Sequence, residues 1–231
     1  MTGPENTRPT KRSRAAQRAE TLEHILDEAE YLFSRHGFHG VTLKDVAARV
    51  GVNTSLLHYY FDGKGELFDL VLARRAPVSR ERRIAALDQY ERDTGDHPTA
   101  EGALRAFLDT DLDLYMTGDP GWRNYMALGS LMSNSPDLVG KVLDLHFDTV
   151  VRRLIAVLRR VYPGCSDENL YWGYHFATGA LMLTLGCTGR IDTLSEGVCR
   201  SDDFPSIKAR MAPFLASGFD AICRTESGRG D

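Results

Sequence analysis

The stretch from Thr42 to Phe61, TLKDVAARVGVNTSLLHYYF, decides the fold. Thr42 suits a helix N-cap, and Asp45 three residues on completes a capping-box pattern. Leu43, Val46, Ala47 and Val50 then form one apolar stripe at helical spacing. Gly51 breaks that helix. After a three-residue turn, Asn53 or Thr54 caps a second short helix running through Leu56, Leu57, Tyr60 and Phe61. Two short helices joined by a tight Gly-containing turn make a helix-turn-helix unit, whose second helix presents a polar outer face. Here that face is Thr54, Ser55, His58 and Tyr59, opposite Leu57 and Phe61, with Leu56 and Tyr60 at its border. Three helices of this kind serve equally as a protein-binding module, so periodicity alone leaves the partner open.

Upstream, Ala15, Ala19, Leu22, Ile25, Leu26, Ala29, Leu32 and Phe33 mark an amphipathic first helix, stopped at Gly37. Before it lies a basic segment. Residues 1–18 hold Arg8, Lys11, Arg12, Arg14 and Arg18 against the single acid Glu5, a net +4, so the remainder of the −4 chain carries −8. Residues 1–14 read as a basic flexible arm, or as a solubilising tail. Of the 231 residues 42% are hydrophobic, which fills an ordinary core and excludes wholesale disorder. No run reaches the roughly 18 apolar residues of a membrane span, and the N-terminus lacks a signal-peptide core. Cys165, Cys187, Cys199 and Cys223 are too widely spaced for a disulfide scaffold or a metal site. A reduced, cytoplasmic protein is expected.

Downstream the pattern stays helical, and an all-α chain is expected throughout. One helix covers Lys64 to Arg75. Pro77 separates it from a charged helix over Val78 to Asp93. Further helices cover Thr99 to Thr117 and Trp122 to Ser133, with Gly118-Asp119-Pro120-Gly121 as a turn between them. A long helix capped by Ser135 runs from Pro136 to Val161, and Ser166 caps the next. Tyr171 to Leu185 is apolar or small nearly all round, as in a helix buried on more than one side. The last helix spans Pro205 to Arg224, kinked near Pro213.

Phe38 to Leu67, together with Ala29 to Phe38, resembles the DNA-binding domain of tetracycline-repressor-type (TetR family) regulators. The resemblance implies an N-terminal three-helix head over residues 15–62 and a ligand-binding and dimerisation domain over 63–231. It implies a homodimer held by the last two long helices, and a double-stranded DNA operator as partner. Carried over residue by residue, Arg14 belongs to the basic approach, and Thr42 and Lys44 fall where the second helix reaches DNA. Thr54, Ser55 and Leu56 fall on base-reading positions. His58, Tyr59 and Tyr60 occupy backbone-contact positions, and Lys64 matches a phosphate-binding lysine. Thr42 and Asn53 serve equally as caps, and Tyr60 as core. His58 stands where Tyr is commoner, and Gly65 where the family usually has Glu.

The candidate lining of an effector pocket is Phe107, Tyr115, Met116, Trp122, Tyr125, Met126, Phe147, Trp172, His175 and Phe176, each equally at home as plain core. Asp111 and Arg123 are the charged exceptions. An apolar ligand with one polar end is expected. Leu72 to Leu87 and Tyr174 to Leu185 are similar to the fatty-acid-responsive subgroup, which puts a long-chain fatty acid or acyl thioester first and leaves aromatic or drug-like effectors open. Release from a palindromic operator follows if the ligand prefers the non-binding geometry. No catalytic residue, metal or cofactor is expected. The chain has no GxSxG, Walker, HExxH or dinucleotide pattern, and its seven histidines are scattered. A helical DNA-binding protein without an effector, or an enzyme, is the competing reading.

Overall fold

The computed structural model describes residues 14–138 and 147–224, and all the regular structure there is helical. The head is α1 (Arg14–His36), α2 (Leu43–Val50) and α3 (Thr54–Tyr60). The larger part is built from α4 (Lys64–Thr94), α5 (Ala100–Thr117), α6 (Pro120–Ser133), α7 (Asp148–Val161), α8 (Asp167–Leu185), the short α9 (Arg190–Leu194) and α10 (Phe204–Arg224). Residues 1–13, which contain most of the basic arm, and part of the helix expected over 136–161 lie outside the described residues. Among the described residues, no helix is long and apolar enough to cross a membrane.

One buried core runs through both parts. In the head, Ile25, Ala29, Phe33, Val46, Leu57 and Phe61 converge, and Phe68 from α4 meets Phe33 edge-on at 5.0 Å. The larger part packs α5 against α4 and α10, and α8 against α6 and α10. α1 lies along both α4 and α6, so the head is not an isolated bead.

Three expectations are corrected. Pro77 does not end a helix: α4 continues through it for 31 residues. An interior proline costs about 3 kcal/mol. Leu72, Ala76, Ser79, Arg83 and Leu87 nevertheless keep one buried stripe across that position, and burial worth roughly 1.5–3 kcal/mol per large apolar side chain outweighs it. The segment 118–121 is not wholly a turn. Asp119 caps α6, its carboxylate accepting from the Gly121 amide at 2.9 Å, and Pro120 takes the first helical position where its missing N–H is harmless. The cysteines are not all free: Cys165 and Cys223 form a disulfide with Cα atoms 4.7 Å apart. Their separation of 58 residues hid this pairing, because only packing brings the start of α8 to the end of α10. α10 itself runs unbroken through Pro213.

Candidate DNA-reading head and effector cavity

The head is rigidly propped by its caps. Thr42 and Asp45 form the full capping box: the Thr42 amide donates to the Asp45 carboxylate at 2.9 Å and its hydroxyl at 2.6 Å. Those bonds hold the Asp45 carboxyl below the usual range. Thr42 is exposed and acts as the N-cap of α2, with its amide and hydroxyl both donating to Asp45. Gly51 turns the chain at φ 78°, a left-handed conformation that favours glycine. Asn53, not Thr54, caps α3, accepting from the amide and hydroxyl of Ser55, both at 2.9 Å.

With Leu57 and Phe61 buried, the opposite side of α3 faces outward. Ser55, His58 and Tyr59 are exposed there, Tyr59 to 66%, while Thr54, Leu56 and Tyr60 are half-buried at the edges. Lys44 on α2 and Arg14 at the start of α1 are exposed as well. Sequence reasoning missed the role of Arg18, counted only as arm charge. Its guanidinium lies 5.2 Å from the Tyr59 ring and 5.4 Å from that of Tyr60, tying α1 to the reading helix by cation–π contact. Lys64 donates to the Phe38 carbonyl at 2.8 Å and sits 4.4 Å from the Phe38 ring. It therefore clamps the α1–α2 loop, with two ammonium donors left over.

Between head and cavity lies an ionic junction. Glu30 of α1, 1% exposed, accepts from Arg74 and Arg75 of α4. Arg75 also grips Asp119 with both terminal nitrogens, at 2.9 and 3.0 Å, and lies over the Trp122 ring at 5.1 Å. A Cβ at Gly121 would fall 1.8 Å from the Arg75 guanidinium, so a side chain there would push the end of Arg75 aside. Burial pushes the Glu30 carboxyl up, against the pull of Arg75 and Arg74.

A cavity of about 90 Å³ lies among α4, α5, α6, α7 and α8. Phe107, Tyr125, Met126 and Phe147 of the expected lining are on its wall. The other expected residues are elsewhere. Tyr115 stacks on Phe204 at 4.0 Å, where burial and the Cys187 thiol push its phenol up to about 12. Met116 packs half-buried against the core, and Trp122 belongs to the junction. Trp172, His175 and Phe176 are exposed along the outer face of α8, where Trp172 stacks on Phe176 and His175 meets both edge-on, with centroids 5.6 to 6.0 Å apart. A helix apolar all round offers no periodicity to say which side is inner, which is why these three were misplaced.

Of the charged exceptions, Arg123 is exposed over the Tyr115 ring, whereas Asp111 is buried on the cavity wall. Asp111 pairs with Arg83, and its other oxygen accepts from Ser79 at 2.8 Å. Arg83 went unnoticed as a site residue because an arginine in a charged helix reads as solvent-facing. The available signal is its place on the Ala76, Ser79, Arg83, Leu87 stripe of α4. Among the described residues no cluster of three His, Cys, Asp or Glu could hold a metal.

A helix-turn-helix head, joined through ion pairs at the buried Glu30 to a helical part with a mostly apolar cavity, has the make-up of a DNA-binding regulator. Residues 25–71 match the family profile "Bacterial regulatory proteins, tetR family", and residues 105–218 match "Tetracyclin repressor-like, C-terminal domain". The chain belongs to the TetR family of transcriptional regulators, whose members are regulators and not enzymes. The transcriptional repressor DrrR1 of Streptomyces coeruleorubidus is 37% identical over 62 residues, 27% of this chain and 23% of that protein. The repressor BepR of Brucella suis biovar 1 is 28% identical over 104 residues, 45% of this chain and 47% of that protein. The chain thus spans about a quarter to a half of the length of these curated relatives. A crystal structure of a transcriptional regulator from Pseudomonas aeruginosa PAO1 superposes with TM-score 0.57 over 91% of this chain and 96% of its own, at 18% identity, a likeness of fold alone.

Proposed function

We propose that this chain is a homodimeric, ligand-responsive repressor, acting in the cytoplasm, that leaves a palindromic operator when a small hydrophobic effector enters the α4–α8 cavity. One observation carries the DNA half: α3 buries Leu57 while presenting Ser55, His58 and Tyr59 outward from a doubly capped helix pair. A short helix so held reads one half-site, and two heads about 34–36 Å apart read successive major grooves. The second head comes from a copy docked on α8 and α10, whose outer faces expose Trp172, Phe176, Leu183 and Phe214. Under this reading residues 1–14 are a basic arm, 15–62 the DNA-binding domain, and 63–231 the sensor and dimerisation domain. The mostly apolar lining of this cavity suits a compact hydrophobic effector, which we favour over a long-chain fatty acid or acyl thioester.

The test is footprinting of the DNA upstream of the protein's own gene, with competition by random duplex at several salt concentrations. Protection of a short inverted repeat is expected, weakening steeply with salt. Ser55→Ala and Thr54→Ala should change sequence preference, while Lys44→Ala should weaken all sequences alike. Equal affinity for operator and random duplex ends the proposal.

A further inference from the structure

The cavity wall contains two hydrogen-bond donors, Arg83 Nε–H and the Thr178 hydroxyl, that have no acceptor among the described residues. Arg83, 4% exposed, reaches the wall from α4, with its guanidinium 4.5 Å from the Phe107 ring and 5.8 Å from that of Phe147. A terminal nitrogen is spent on Asp111, but Nε–H is buried without an acceptor. Thr178, on the α8 side of the same wall, has its hydroxyl buried with no partner. This is unusual for a helical threonine: Thr184, on the same helix, donates back to the Ala180 carbonyl at 2.8 Å. Buried polar groups are almost always satisfied, and a native structure retains an unsatisfied one at a cost that a bound acceptor removes.

Charge then selects the acceptor. Arg83 and Asp111 cancel within the wall, and burial raises the Tyr125 phenol so that it stays neutral. The remaining lining is dominated by Phe107, Met126, Met132, Phe147, Leu181 and Met182. A carboxylate or ammonium would bring an uncompensated charge into this chamber, which is strongly unfavourable. A pure hydrocarbon would leave both donors unpaired. We infer that the cavity takes a compact neutral molecule bearing a carbonyl-type acceptor, of ketone, ester or lactone class, whose oxygen receives Arg83 Nε–H and the Thr178 hydroxyl. Its hydrocarbon body lies against Phe107, Phe147 and the methionines, whose unbranched side chains adjust to small differences in shape. The inference rests on the effector reading of this cavity and names the chemistry it recognises.

The test uses the full chain labelled at its methionine methyl groups with carbon-13, because Met126, Met132 and Met182 all line the cavity. Three probes of similar size are titrated by NMR: acetophenone, ethylbenzene and benzoate. Acetophenone should shift those methyl resonances with a Kd about tenfold below that of ethylbenzene, one hydrogen bond's worth of discrimination, and benzoate should bind more weakly than acetophenone. Thr178→Val, which keeps shape and loses the hydroxyl, should narrow the ketone-to-hydrocarbon ratio about threefold or more, and Thr178→Ser should restore it. Equal binding of acetophenone and ethylbenzene overturns the carbonyl assignment while leaving an effector cavity in place, and so does tightest binding by benzoate. Failure of all three to shift the methionines overturns the assignment together with the effector half of the proposed function. The operator footprint stands or falls separately.

Discussion

Gly173 shows how one missing side chain can set a helix spacing. A Cβ built there would lie 2.3 Å from the Phe219 ring, and Phe219 is itself fully enclosed on α10. Alanine is the better helix former by about 1 kcal/mol. Overpacking a filled core costs about 1–3 kcal/mol, and Phe219 has nowhere to go. Gly173→Ala should therefore lower the urea midpoint despite its higher propensity, and a raised midpoint would show that α8 and α10 can part. At this scale the sequence was readable where a residue acts on its neighbours in the chain. Thr42 with Asp45, Asn53, Thr99 and Ser166 all cap as their types suggest. It was opaque where a residue acts on a distant one: Arg83 on Asp111, Arg18 on Tyr59, Cys165 on Cys223.

At the scale of elements, the junction of α1, α4 and α6 matters most. The reading from periodicity gave α4 as two helices, because Pro77 is a local signal and the continuous buried stripe is a tertiary one. The ion pairs across the junction were invisible for the same reason: Glu30, Arg75 and Asp119 each look like ordinary surface charges. Burial raises the folded pKa of Glu30 above its unfolded value. The folded chain therefore holds that proton more tightly, a contribution fully present below the ordinary carboxylate range and lost as pH rises through the raised value. Glu30→Gln, which cannot ionise, should gain stability relative to the parent as pH climbs from about 4.5 towards neutrality. Urea midpoints of the two proteins at half-unit pH steps check this. A gap that does not move with pH would mean that Arg74 and Arg75 fully offset the burial of the carboxylate.

For the whole molecule, the arrangement of apolar surface is as telling as the core. Leu183 is 72% and Phe214 75% exposed, and with Trp172 and Phe176 they mark the outer sides of α8 and α10. Leu183→Arg combined with Phe214→Arg should leave helicity intact and convert a dimer into monomers by sedimentation, with loss of operator affinity. An unchanged sedimentation coefficient would place the dimer face elsewhere. Such a pair of copies gives the continuity of α4 a mechanical meaning. Lys64 at the head and Arg83 at the cavity are 19 residues apart on one unbroken helix, a lever of about 28 Å at 1.5 Å per residue. Tilting that lever by about 5° swings its far end by roughly 2.5 Å, and two such swings in opposite directions add to about 5 Å. That exceeds one base-pair rise of about 3.4 Å, enough to put two reading helices out of step with their grooves. On the proposed function, operator release would become a matter of angle, and a ligand would need only to favour a few degrees.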